Sequence, residues 1–220
     1  IALKSITGMI QLNAKAFLVG GSGLYLKAIT GGLQPPAVPP QKTLREQLSK
    51  MNPQECHQIL EKCDPITAEK VSPADSMRII RALEVFYATG KTLSSQKITN
   101  PPSWNLLELG LNPTNLETKI KTRTNNMYAS GLIDETKQLI KQFGENLPLL
   151  KTIGYQEALC IIKGSISSNE GISITNQRTK NFAKRQRTWF KNQHSPIWLN
   201  EENAFKESIA LIQEAIGCIK

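Results

Sequence analysis

The chain has 220 residues, 27 Lys plus Arg against 18 Asp plus Glu for a formal net charge of +9, and a hydrophobic fraction of 40%. That length suits one large or two small domains, and that apolar content suits a packed core, which excludes a wholly disordered chain. No run reaches the roughly 18 apolar residues of a membrane span and no basic stretch leads into an apolar one at the N-terminus, so a soluble, cytoplasmic protein is expected.

The four cysteines, Cys56, Cys63, Cys160 and Cys218, are scattered through a chain long enough to build its own core, so reduced thiols are expected. Cys56, His57 and Cys63 lie close together. There is no C-x-x-C pair, however, and His194 is the one other histidine, so a structural zinc site is not expected. The chain opens on Ile1 and not on Met, and is expected to be missing its start.

Residues 16–19 form a short apolar run into Gly20-Gly21-Ser22-Gly23, and residues 24–29 have helix-compatible composition. This predicts a strand, a glycine turn and a helix start. Such a turn admits close backbone approach and offers helix N–H groups to an anion, or it is simply a strand-to-helix turn. Four prolines within residues 34–40 then demand an extended connector. Residues 43–90 read as helical. Ile79, Ile80, Leu83 and Phe86 fall on one stripe with Arg78 and Arg81 displaced from it, Asp75 is the predicted N-cap and Gly90 the predicted stop. Gly90-Lys91-Thr92 is not a phosphate loop, because Val85 stands where a glycine is needed and the segment follows a helix.

Residues 104–111 read as a strand, 114–131 and 133–143 as helices with Ile120, Met127 and Leu132 as core contacts, and 151–157 as a loop entering another helix. Residues 164–171 are polar and turn-like, and a long basic helix follows. Between Asn176 and Lys191 the bases are Arg178, Lys180, Lys184, Arg185, Arg187 and Lys191, with no acid among them. Such a stripe attracts polyanions, and Phe182, Trp189 and Phe190 either stack on bases or pack the helix onto a core. A solvated helix face is the alternative. Residues 197–199 are a short strand and 204–216 a closing amphipathic helix. The last 29 residues turn acidic, with Glu201, Glu202, Glu207 and Glu214 against Lys206 and Lys220.

Several blocks, in order, carry a more specific signal. They are Phe17-Leu18-Val19-Gly20-Gly21-Ser22-Gly23-Leu24-Tyr25, Asp64-Pro65, Arg78-Ile79-Ile80-Arg81-Ala82-Leu83-Glu84-Val85 with Thr89-Gly90-Lys91, Gly131-Leu132-Ile133-Asp134-Glu135, Ile153-Gly154-Tyr155-Gln156-Glu157, and Ala183-Lys184-Arg185-Gln186-Arg187-Thr188-Trp189-Phe190. Together they resemble the tRNA dimethylallyltransferases. The resemblance implies an α/β fold with a P-loop NTPase-like parallel-sheet core, incomplete at its N-terminus, a helical insertion, and helix as the dominant element by residue count. Residues 1–42 would be part of the core including the turn from Gly20 to Tyr25, 43–100 the insertion contacting tRNA, and 101–220 the rest of the core with its long basic helices.

The implied reaction moves a dimethylallyl group from dimethylallyl diphosphate to the exocyclic amine of the adenosine 3′-adjacent to the anticodon. It needs an extruded base, a general base near the amine, and cations with N–H donors on the leaving diphosphate. By the same resemblance Ser22, Arg45, the stretch holding Met77, Arg78 and Arg81, and the loop holding Lys151, Gly154, Tyr155 and Gln156 contact tRNA. Lys119 and Arg123 sit near the diphosphate, and Gly20, Gly21 and Gly23 form the glycine turn. For each arginine the bland alternative is a surface salt bridge of little energetic value.

Departures from the family pattern are Met77 for Gln, Ser22 for the usual Thr, and Lys119 and Lys180 for Arg, which keeps charge and loses bidentate geometry. The G-x-[TS]-[AG]-S-G-K-[ST] loop and the D-S-x-Q segment with the catalytic aspartate do not occur. The 220 residues are therefore expected to keep much of an RNA-contacting surface, to hold no catalytic residue and to be inactive alone. The nucleotide-type (ATP-binding) phosphate loop and Mg2+ would belong to the complete enzyme. The implied partners are a tRNA anticodon stem-loop and dimethylallyl diphosphate, with no membrane, for a monomer. The alternatives are an adenylate isopentenyltransferase acting on free nucleotides and a non-catalytic RNA-binding derivative.

Overall fold

The computed structural model describes residues 1–96 and 98–217, so Cys218 and Lys220 lie outside the described residues. The chain divides into two compact units, one of residues 1–20 and 24–104, the other of Gly21–Gly23 with the chain from Asn105 onward. Helix dominates, as expected.

The first unit holds helices α1 (Ala2–Gln11), α2 (Gly23–Thr30, of which all but Gly23 belongs to this unit), α3 (Lys42–Lys50), α4 (Pro53–Cys63), α5 (Pro65–Lys70), α6 (Ser76–Thr89) and α7 (Leu93–Gln96) and strands β1 (Leu33–Gln34) and β2 (Ile98–Thr99). β1 and β2 pair antiparallel, Leu33 opposite Thr99 and Gln34 opposite Ile98, and so close the two ends of the α3–α7 segment onto each other. Its core is Leu48, Cys56, Leu60, Ala68, Ile79, Ala82 and Leu83 from α3 to α6, with Val71 just after α5. Spacings of three and four residues put these side chains on one face of each helix.

Local chemistry sets the helix ends. Pro53 and Pro65 occupy first turns, where their missing N–H is no loss, and the side chains of Asn52 and Asp64 accept from Gln54 N and Thr67 N. Asp75 caps α6 by accepting from Arg78 N at 3.2 Å, and Gly90 ends it in the left-handed conformation, φ 68°. Both ends of α6 match the reading of the sequence.

Two features differ from it. Residues 16–19 are not a strand: Phe17 and Val19 are 77% and 92% exposed, and no described segment pairs with them. An apolar run becomes strand only where a neighbour takes its backbone hydrogen bonds. The helix after the glycine turn does form, from Gly23. α1 was not anticipated, and it buries none of its residues.

The second unit holds strands β3 (Leu109–Asn112) and β4 (Ile197–Asn200) and helices α8 (Leu116–Ala129), α9 (Leu132–Phe143), α10 (Tyr155–Ile162), α11 (Ser168–Gln193) and α12 (Ala204–Gly217), with a 3-10 turn at Pro148–Lys151 before α10. β3 and β4 pair parallel in the register Leu109 to Ile197 through Asn112 to Asn200. Of the P-loop-like parallel sheet that the resemblance implies, this pair is the parallel part among the described residues. The strand expected over 104–111 starts only at Leu109. Ile197 donates its N–H to Glu108 O, and the next residue upstream, Pro196, has no N–H to continue the ladder.

α8, α9, α10 and α11 pack pairwise around Ile120, Leu132, Leu150 and Ala158. Tyr128 Oη and Thr175 Oγ1 share a hydrogen bond of 2.9 Å that ties α8 to α11. α11 begins at Ser168, inside the segment expected to be a turn. Ser167 and Glu170 form a capping box, and Gly171 lets the helix lie against Ile161.

Candidate functional site

In the first unit the apolar stripe of α6 carries one acid. Glu84 lies between buried Leu83 and Val85 and is itself 0% exposed. Its Oε1 accepts from Arg45 Nε at 2.7 Å and from Gln41 N at 2.6 Å, and its Oε2 from Arg45 Nη2 at 2.7 Å and Arg81 Nη1 at 2.5 Å. The Arg45 guanidinium is the main cause that holds this carboxyl down to about 2, with burial opposing and the Gln41 N–H and Arg81 assisting. Arg81 Nη2 also donates to Pro36 O at 3.2 Å and Val38 O at 3.0 Å, fastening the proline connector. Arg45 and Arg81 are thus brought together. Arg78, on the exposed side of α6, meets Asp75 at 3.3 Å, and Met77 beside it is exposed.

In the second unit α11 clamps the glycine turn. Gln186 Nε2 donates to Gly21 O at 2.6 Å, and His194 bridges Gly23 O (Nε2, 3.3 Å) and Glu108 Oε1 (Nδ1, 2.9 Å). Trp189 packs so close to Gly23 that a Cβ there would stand 2.0 Å from the indole Cδ1. The Trp189 Nε1 is buried without a hydrogen-bond partner among the described residues. Ser22, between the two glycines, is exposed. Gly20 belongs to the other unit, with Leu26 beside it.

The loop before α10 is held from within. Buried Glu157 accepts from Gly154 N at 2.7 Å and from Arg178 Nη1, and that same nitrogen donates to Gln156 Oε1 at 2.8 Å. Gly154 has φ 96°, which a side chain would strain. Tyr155 donates its hydroxyl to Glu135 at 2.6 Å, a bond that raises the phenol above its usual range, and Lys151 is exposed at the end of the 3-10 turn. Gln156 therefore meets the first cation of the basic stripe directly, and Gly154 is joined to it through Glu157. Lys119 and Arg123 share a pocket of about 550 Å³ along α8 with Thr122, Asn126 and Met127. Lys119 is paired with Glu201, while Arg123 has no ion pair among the described residues.

Of the six cations on α11, Arg178 is paired with Glu157 and Lys180 with Glu117. Lys184, Arg185, Arg187 and Lys191 are exposed and have no ion pair among the described residues. Residues 184, 187 and 191 are three and four apart and form one row. Of the aromatics between them, Phe182 is exposed, while Trp189 and Phe190 turn inward, Phe190 at 5.1 Å from the His194 ring. No group of three or more His, Cys, Asp or Glu side chains gathers among the described residues to hold a metal ion.

Residues 1–193 match the family model described as IPP transferase. The chain belongs to the IPP transferase family. A tRNA dimethylallyltransferase of Prochlorococcus marinus is 62% identical over 213 residues, which cover 97% of this chain and 71% of that one. The full-length tRNA isopentenylpyrophosphate transferase of Bacillus halodurans superposes with a TM-score of 0.62 at 29% identity, over 98% of this chain and 70% of that one. A eukaryotic dimethylallyltransferase acting on tRNA shares the fold, with a TM-score of 0.72 at 23% identity over 98% of this chain and 60% of that one. Membership places the chain in a prenyltransferase class of enzyme.

Of the residues that organise these candidate sites, Glu84, Glu157 and Gln186 stand in the sequence without a role of their own, and Trp189 takes the packing one of its two alternatives. A signal for Glu84 existed: an acid stands between Leu83 and Val85 on an apolar stripe, three residues after an arginine.

Proposed function

We propose that the chain is the RNA-holding part of a tRNA dimethylallyltransferase. The acceptor is the exocyclic amine of the adenosine 3′-adjacent to the anticodon, presented by an anticodon stem-loop to a protein acting as a monomer. The amine attacks the allylic carbon of dimethylallyl diphosphate, the carbon–oxygen bond to diphosphate breaks, and the amine proton passes to a general base. That base belongs to a segment that the 220 residues do not contain, so this stretch of chain binds RNA and does not turn over. Arg123, in its pocket on α8, is the free cation suited to the departing diphosphate.

The observation that carries this reading is the row of Lys184, Arg187 and Lys191 on α11, exposed and free of acids. A phosphate backbone is met by such a row, whereas a free adenine nucleotide needs far less of it. The test is binding of a labelled anticodon stem-loop RNA and of AMP over a salt series, with a radiolabelled prenyl transfer assay alongside. Steeply salt-dependent RNA binding without turnover is the expected result. Equal preference for AMP would favour the nucleotide-modifying alternative, and turnover by the 220 residues would remove the division of labour.

A further inference from the structure

A carboxylate on the core face of a helix must be compensated, because an unpaired buried charge is far costlier than a paired one. Glu84 is compensated from outside α6 by both ends of the Arg45 fork and the Gln41 N–H, and from its own helix by Arg81, three residues before it. The two arginines are not equivalent. A guanidinium carries five N–H donors. Arg81 gives Nη1 to Glu84 and Nη2 to the Pro36 and Val38 carbonyls, so its polar ends face protein. Arg45 commits only Nε and one side of Nη2, its Nη1 has no hydrogen-bond partner among the described residues, and its side chain is 38% exposed against 31% for Arg81. One carboxylate against two guanidiniums leaves one positive charge over, and it lies on the arginine with a free edge.

We infer that Glu84 is a positioning residue, which with Arg81 bracing the connector holds Arg45 in a single pose whose free guanidinium edge meets an RNA phosphate. The inference rests on the RNA-acceptor reading above. It divides that reading's arginines into a contact, Arg45, and a brace, Arg81. A flexible cation would deliver the same charge without the pose, and would give up more rotamer freedom on binding.

The test is fluorescence anisotropy of a labelled anticodon stem-loop RNA titrated with the full 220-residue chain over a salt series, using R45A, R45K, E84Q and R45A/E84Q. R45A is expected to lose about tenfold in affinity and about one unit of salt slope, as for one neutralised phosphate. R45K is expected to lose nearly as much although it keeps the charge. E84Q is expected to reproduce the R45A loss, with the double variant no weaker than either single. Wild-type affinity in R45K, an unchanged R45A, or losses that add in full in the double variant would each overturn the positioning role. R45K leaves the buried carboxylate in place, so it decides the matter even where E84Q does not fold. Failure of the wild-type chain to bind the stem-loop removes the RNA reading itself, and this inference with it, and is told apart by needing no variant.

Discussion

Glu84 and Arg45 meet fork to fork, Nε to Oε1 and Nη2 to Oε2 at 2.7 Å each, across 39 residues of sequence. The bond joins α3 to α6 at the edge of the first unit's core. The carboxyl is held to about 2 in the folded chain against an ordinary value of 4.5, so the folded state binds fewer protons than the unfolded one. Its contribution is therefore complete above about pH 4.5 and is lost as pH falls towards 2. The arginine side chains remain about one-third exposed, and after screening the contribution is on the order of 1–2 kcal/mol. Thermal melts across that acid range should show wild type losing stability that E84Q never had, so that the two curves converge at low pH. Parallel curves would remove Glu84 as the source.

Glu157 plays a comparable part in the second unit, since it is almost fully buried and holds Gly154 N and Arg178 together. Glu157→Gln keeps an acceptor for the Gly154 N–H but turns an amide towards the Arg178 cation. Arg178→Ala leaves the carboxylate buried with only the backbone N–H. Each is expected to destabilise by about 1–3 kcal/mol, because each strands a buried polar group. The double variant should cost less than the sum, as contacting partners do. Additive losses in urea unfolding would mean that the two side chains act independently.

Apart from α1, the helices of both units were legible because their information is local. Asp75, Pro53 and Gly90 punctuate the chain where helices begin and end, and the 3.6-residue pattern of Ile79 and Leu83 places the core. What depends on a distant partner was not legible. The run at 16–19 has strand composition without a neighbour to pair with, and the start of β3 is set by Pro196, almost ninety residues on. The site behaved the same way. Arginines 45 and 81 could be picked out by resemblance, but the carboxylate that joins them could not be weighed until 39 residues of chain had folded back. The basic stripe was visible as six cations, and only packing shows that two of them are neutralised.

Gly23 is where the glycine turn depends most on the absence of a side chain. An added Cβ would collide with the Trp189 ring at 2.0 and 2.2 Å, so the indole or the turn must move. Gly23→Ala should cost about 1–3 kcal/mol, the usual penalty for overpacking a close approach. Gly90→Ala is the matched control: it has left-handed φ and open space around its Cα, and should cost only about 1 kcal/mol of backbone strain. Melting temperatures should rank Gly90→Ala above Gly23→Ala, and tryptophan emission should shift only in the latter. Equal melts with unshifted emission would mean that the indole yields without cost.

The four free cations of α11 make no ion pair among the described residues, so removing them should leave stability nearly unchanged while altering how the chain meets a polyanion. Replacing Lys184, Arg187 and Lys191 together by Gln should weaken stem-loop RNA binding across sequences and lower the salt slope by about one for each phosphate that is no longer neutralised. Lys180→Gln gives the contrast, because it releases Glu117, whose carboxyl is lowered chiefly by its bond to Lys180. Its own removal should change the salt slope little, since that cation is already matched by an anion. If the triple variant keeps the wild-type slope, the row is a solvated helix face and RNA is held by the arginine cluster of the first unit alone. If Lys180→Gln lowers the slope as much as one of the free cations does, its pairing with Glu117 yields to RNA, and the stripe then works as five cations and not four.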